Sequence, residues 1–166
     1  MKKRIVAFVC ALLLLGSLSA GAVEGEAARA ADILTTLNLL DTFPDQDLDA
    51  PATRAQAAVL LVELAGAQSS AEHDLWISGF RDVPAWAETA VTYAAHQNWI
   101  SGVTVTTFRP DDPISADGWC TFLLRMLGYS DKEGDFTVSG AAVFAQHIGL
   151  ISRSYSGALT QADLFE

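Results

Sequence analysis

Three aspartates alternate through the segment DTFPDQDLDAPA, and Asp45, Asp47 and Asp49 have the spacing with which a calcium loop presents carboxylates. Such a loop also needs glycine at its sixth position and a bidentate glutamate at its twelfth, where Ala50 and Gln56 stand, so no calcium is expected. His73, His96 and His147 are far apart and in no zinc-binding pattern. PDDP, from Pro110 to Pro113, reads as a turn with an acidic rim. Cys120 lies within WCTFLLRML, an apolar helical run, where a thiol is buried and inert. No nucleophile elbow or phosphate-binding glycine loop occurs. Glycosidase carboxylates come together through the fold and not through spacing, and no motif names such a pair. No catalytic residue, metal or cofactor is expected, and the function must be sought in binding.

The elements that would position binding residues repeat. Asn38-Leu39-Leu40-Asp41, Asn98-Trp99-Ile100-Ser101 and Gly149-Leu150-Ile151-Ser152 each end an alanine-rich amphipathic helix. Each then leads through a polar loop to a second helix opened by a hydroxyl residue, namely Thr53, Ser115 and Thr160. Thr53 with Gln56 forms a capping box, and Thr160 with Asp163 is a close relative. Ala57, Ala58, Leu60, Leu61, Leu64 and Ala65 are spaced for one apolar face of a helix. So are Trp119, Phe122, Leu123, Met126 and Leu127. Gly66 and Gly128 serve as stops. The first helices are expected over Ala27 to Leu40, Pro84 to Asn98 and about Thr137 to Ile148, with Pro84 in a first turn. The fold class is therefore all-α, about six helices in three helix-loop-helix units: 23–70, 71–132 and 133–166. TVTTF, Thr104 to Phe108, alternates β-branched residues and is expected to pair weakly in its loop. One such unit cannot cover its own apolar face, so the three should share a core.

Residues 1–22 read as a secretory signal peptide: Lys2, Lys3 and Arg4, an apolar run from Ile5 to Leu15, then small residues ending in Ala20-Gly21-Ala22. The apolar run is shorter than the roughly 20 residues of a membrane-spanning helix, so no membrane association is expected after cleavage. Cleavage would lower a net charge of −10 to −13, because the ten Lys and Arg lose three and the twenty Asp and Glu lose none. The remaining cations are scattered singly, which excludes a nucleic-acid partner. Cys10 departs with the signal, leaving Cys120 without an internal disulfide partner.

Residues 80–128 carry an ordered series of signals: Phe80, Asp82, Val83, Trp86, Ala87, Trp99, Ile100, Gly102, Phe108, Pro110, Ile114, Leu127 and Gly128. The series resembles an S-layer homology repeat, with the flanking units as weaker copies: the first lacks its opening motif and the third is truncated at Glu166. The resemblance implies a pseudo-threefold bundle of three repeats whose junction grooves hold secondary cell-wall polysaccharide, commonly bearing a pyruvate ketal. It implies a secreted, noncatalytic protein at the cell wall or cell surface. It also implies polysaccharide contacts from Arg54, Asp82 and Trp86. A ketal carboxylate is planar and suits a bidentate guanidinium, while a sugar presents C–H faces to an indole and hydroxyls to a carboxylate. Other roles are open to each: Arg54 pairing with Asp45, Asp47 or Asp49, Trp86 packing in the core, and Asp82 capping the helix near Pro84. Ala116 and Gln161 stand where the second and third repeats would carry the arginine. That substitution favours an alternative in which a degenerate repeat protein contacts other surface proteins or associates with itself.

Overall fold

The computed structural model describes residues 49–155 and 157–165, so the signal peptide, the helix expected over Ala27 to Leu40, Asp45 and Asp47 lie outside the described residues. Five α-helices follow in order: α1 Arg54–Leu64, α2 Gln68–Glu72, α3 Ala85–His96, α4 Ala116–Met126 and α5 Ala141–His147. Short 3-10 turns cover Val138–Gly140 and Ala162–Phe165. The described residues form no strand, in keeping with the all-α class.

Local chemistry starts and stops these helices. Thr53 Oγ1 accepts from the Gln56 N–H at 3.2 Å and Gln56 Oε1 accepts from the Thr53 N–H at 2.9 Å, the expected capping box. Thr160 and Asp163 exchange the same pair of bonds at 3.2 and 2.8 Å. Ser115 Oγ accepts from the Gly118 N–H at 3.1 Å. At the far end of α4 the chain reverses through Gly128 at φ 90, where a side chain would be strained.

Several expectations change. α1 buries every residue from Ala55 to Val62, so it is a central helix packed on all sides and not an amphipathic one with a single apolar face. Pro84 sits just outside α3, with the ψ of 151 that precedes a helix. The third unit's first helix tightens to 3-10 over Val138–Gly140 before α5, and its second is the 3-10 turn at Ala162–Phe165. TVTTF does not pair as a strand. Its residues close a tight turn, with the N–H groups of Val103 and Thr104 both donating to Thr107 O at 2.9 and 3.2 Å.

The core joins α1, α3 and α4, with Leu60, Leu61, Val91, Phe108 and Ile114 almost fully buried. A second cluster gathers Cys120, Leu124, Phe136 and Ile151 under α5. Burial and the nearby Asp117 charge push the Cys120 thiol up to about 12, in keeping with an inert core residue.

The three helix-opening segments meet edge to edge. The Ala52 N–H donates to Leu159 O at 2.8 Å, the Leu159 N–H to Ile114 O at 3.0 Å, and the Ile114 N–H to Ala52 O at 2.9 Å. Each of these three residues thus gives one main-chain bond to another and receives one, and the three bonds close a ring. The capping residues Thr53, Ser115 and Thr160 follow the ring residues directly, so the side chain one place further on, Arg54, Ala116 or Gln161, opens the helical turn beside the ring.

Candidate functional site

Arg54 occupies that position at the start of α1 and reaches across to the loop between α3 and α4. Its Nε donates to Phe108 O and its Nη2 to Ser101 O, both at 3.0 Å. The guanidinium carbon stands 4.7 Å from the centre of the Phe108 ring and 5.7 Å from that of Phe122, a cation over two aromatic faces.

Nε and Nη2 form one edge of the planar fork, and both donate to carbonyls, which carry no net charge. Arg54 forms no ion pair among the described residues, and its nearest opposite charges, Asp112 and Asp82, act through space. The guanidinium is thus aligned on one edge, with its opposite Nη1/Nη2 edge available for a planar anion. Burial, aided by the neighbouring charge of Arg109, lowers the Arg54 pKa against the pull of Asp112 and Asp82. An opposite charge placed there would favour the charged guanidinium and offset the effect of burial.

Asp82 meets Arg54 through one peptide. Its carboxylate accepts from the Phe108 N–H at 2.9 Å and from the Arg109 N–H at 2.8 Å, while Arg54 holds the Phe108 carbonyl. Desolvation pushes the Asp82 carboxyl upward. The two N–H donors and the Arg54 charge outweigh it and hold the pKa below the usual carboxylate range. Asp82 does not cap α3, whose start has no side-chain hydrogen bond. It clamps the Phe108 turn on which Arg54 rests.

Trp86 lies in the first turn of α3 and is 41% exposed, so it is not a core residue. Among the described residues no ring contact or hydrogen bond joins it to Arg54 or Asp82. The structure therefore brings Arg54 and Asp82 together and leaves Trp86 as a separate exposed indole.

Sequence reasoning missed the acceptors. Ser101 and Phe108 contribute main-chain carbonyls, which no side-chain pattern reveals. Arg125 was also missed: its Nη1 donates to Ser101 Oγ at 3.1 Å, and Asp131 holds it through two bonds of 2.8 Å. Its signal was its place on α4 one helical turn beyond Phe122, on the same face. Among the described residues no three His, Cys, Asp or Glu side chains gather to hold a metal ion.

Among the described residues the helical scaffold thus holds the Arg54 guanidinium beside the α3–α4 loop without an ion-pair partner. Residues 79–115 match the S-layer homology domain family. Over 145 residues it is 29% identical to a cell surface protein of Thermoanaerobacter kivui, an alignment covering 82% of this chain. The chain spans 19% of the length of that relative.

Proposed function

We propose that the chain is a secreted, noncatalytic cell-surface module that docks noncovalently on an acidic secondary cell-wall polysaccharide. Units 23–70, 71–132 and 133–166 are arranged about a pseudo-threefold axis, a reading supported by the closed ring through Ala52, Ile114 and Leu159. Residues 1–22 direct export and are removed. No described helix is long and apolar enough to cross a membrane. Arg54 takes the carboxylate of the polymer, commonly a pyruvate ketal. Asp82 sets the turn beneath it, and Trp86 offers a face to a neighbouring sugar. The single observation that carries the reading is the Arg54 guanidinium, aligned by two carbonyls and two aromatic rings without a carboxylate partner among the described residues, in a chain of net charge −10.

The test is co-sedimentation of the secreted chain with purified cell walls, before and after chemical removal of the wall polysaccharide. Binding should be lost with the polymer. Arg54→Ala should weaken binding to intact walls by about tenfold or more, the effect of one charge-assisted bidentate pair. Arg54→Lys should restore little, because an ammonium lacks the planar fork. Equal retention on both wall preparations rejects the reading.

A second reading is favoured by Ala116 and Gln161, which leave two junctions without a cation, and by the exposed Leu75, Ile77 and Val105. On this reading the chain contacts other surface proteins or itself. A stable oligomer by light scattering, unaffected by polysaccharide, would select it.

A further inference from the structure

Between α2 and α3 the chain runs as a short strap along the outer side of α3. Asp74 anchors its start: Oδ1 accepts from the Trp76 N–H at 3.0 Å, and Oδ2 meets His96 Nδ1 at 2.7 Å. The Trp76 indole stacks on the His96 ring at 5.1 Å between centres, and Thr92 Oγ1 donates to Ser78 Oγ at 3.3 Å. Trp76 and Ser78 therefore face α3, whereas Leu75 and Ile77 are 94% and 86% exposed. An extended chain produces that alternation, with successive side chains on opposite faces.

The backbone of the strap is unused as well. Among the described residues, no main-chain group from Leu75 to Phe80 bonds to another main-chain group. The loop after α3 bonds to the chain only beyond this stretch, where the Arg81 N–H donates to Thr106 O at 3.1 Å. An extended, apolar stretch with unpaired N–H and C=O groups is a template for a second strand.

Another copy of the same stretch fits it. No charged residue lies between Asp74 and Arg81, and His96 engages the Asp74 carboxylate, so a chain of net charge −10 presents here a neutral face on which two copies can approach. The ends of the stretch carry opposite charges. Glu72 and Asp74 lie on one side, and Arg81, which forms no ion pair among the described residues, lies on the other. An antiparallel pair sets each acidic end against the other copy's Arg81, and a parallel pair would set like charges together. A two-fold axis at Trp76 also places Leu75 of each copy opposite Ile77 of the other, on the outer face.

We propose that Leu75 to Ser78 is a self-association edge, along which two copies of the chain pair antiparallel through main-chain hydrogen bonds and cross-strand contacts between Leu75 and Ile77. The inference rests on the self-association reading above and names the surface that carries it. So short an edge buries little area, and the dimer it forms is weak and concentration-dependent.

The experiment is sedimentation of the secreted chain over a concentration series, in which a reversible dimer is expected. Leu75→Lys and Ile77→Lys alter exposed side chains and should melt as wild type. Each substitution occurs twice across the axis, so each should raise the dimer dissociation constant about tenfold or more. Val143→Lys, at a site on α5 that is 73% exposed, should leave it unchanged. The register is read by mild oxidation. Leu75→Cys mixed with Ile77→Cys should link as a mixed pair in preference to like with like, because Cys120 is buried. A chain that stays monomeric up to about 1 mM overturns the proposal together with self-association, and leaves the edge to a strand of a different protein. A dimer indifferent to both lysine variants, or one whose cysteines link like with like, overturns this edge and leaves self-association to another surface.

Discussion

The starts of α1 and α4 occupy matching places beside the ring and end differently. At α1, Arg54 crosses to the neighbouring unit, lies over Phe108 and Phe122, and binds two carbonyls. At α4, Ala116 is buried, and the next residue does the joining: Asp117 Oδ1 accepts from the Ala142 N–H at the start of α5, at 2.9 Å. The third unit has an arginine of its own, Arg153, but it is paired with Asp163 at 2.8 Å and lies over Tyr155. One junction thus keeps a guanidinium without a carboxylate partner among the described residues, while the other is tied by a carboxylate to a backbone amide. The contact across each junction therefore comes from a different place, the residue directly after the cap at α1 and the residue after that at α4.

The strongest way to break the first junction is to remove its platform. Phe108 is fully buried, its amide is held by Asp82 and its carbonyl by Arg54. Phe108→Ala should cost about 3–5 kcal/mol of stability in denaturant titration, and any polysaccharide binding should fall with it. Loss of binding with stability unchanged would show that the ring, and not the turn, positions Arg54.

Ala116→Arg sharpens the comparison from the other side. Ala116 is 6% exposed, and a long cation there must displace packed neighbours. The variant should lose about 1–3 kcal/mol by thermal or chemical unfolding and gain no affinity for walls. A stable variant that binds more tightly would mean the second junction is open and merely lacks its cation.

The smallest effect is in pH. Donation from the Arg125 side chain holds the Asp131 carboxyl below its usual range, and Asp82 is held down as described above. For a depressed carboxyl the unfolded chain binds the proton first. The stabilisation is therefore fully present above the unfolded value of about 4 and is lost as pH falls through the folded values. Unfolding midpoints should be flat from neutral pH to about 5 and decline below about 4. Asp131→Asn and Asp82→Asn should each make the decline shallower, and an unchanged profile in both would remove these clamps from the stability of the junctions.

The sequence disclosed what depends on near neighbours. The capping pairs at Thr53 and Thr160 span three residues, so the hydroxyl and its reciprocal partner can be read directly. The Gly128 stop and the inert surroundings of Cys120 were legible for the same reason. The Asp82 partners lie 26 and 27 residues away, and the Arg54 acceptors 47 and 54 residues away. All four are main-chain groups, which every residue owns and no residue type advertises. The β-branched run at Thr104 to Phe108 pairs no further than one bond, Arg81 N–H to Thr106 O at 3.1 Å, because Thr107 O is met by Val103 and Thr104 of its own loop and no strand edge is left to extend. α1 looked one-sided because alanine is apolar enough for a core and small enough to be packed from several directions at once.

The circle of amides through residues 52, 114 and 159 is made of main-chain groups alone. Arginine, alanine or glutamine can follow the capping residue without breaking it, as positions 54, 116 and 161 demonstrate. Such a molecule can change the side chain beside each cap one at a time and keep its shape. Its architecture and the chemistry it displays at these positions are free to drift at different speeds.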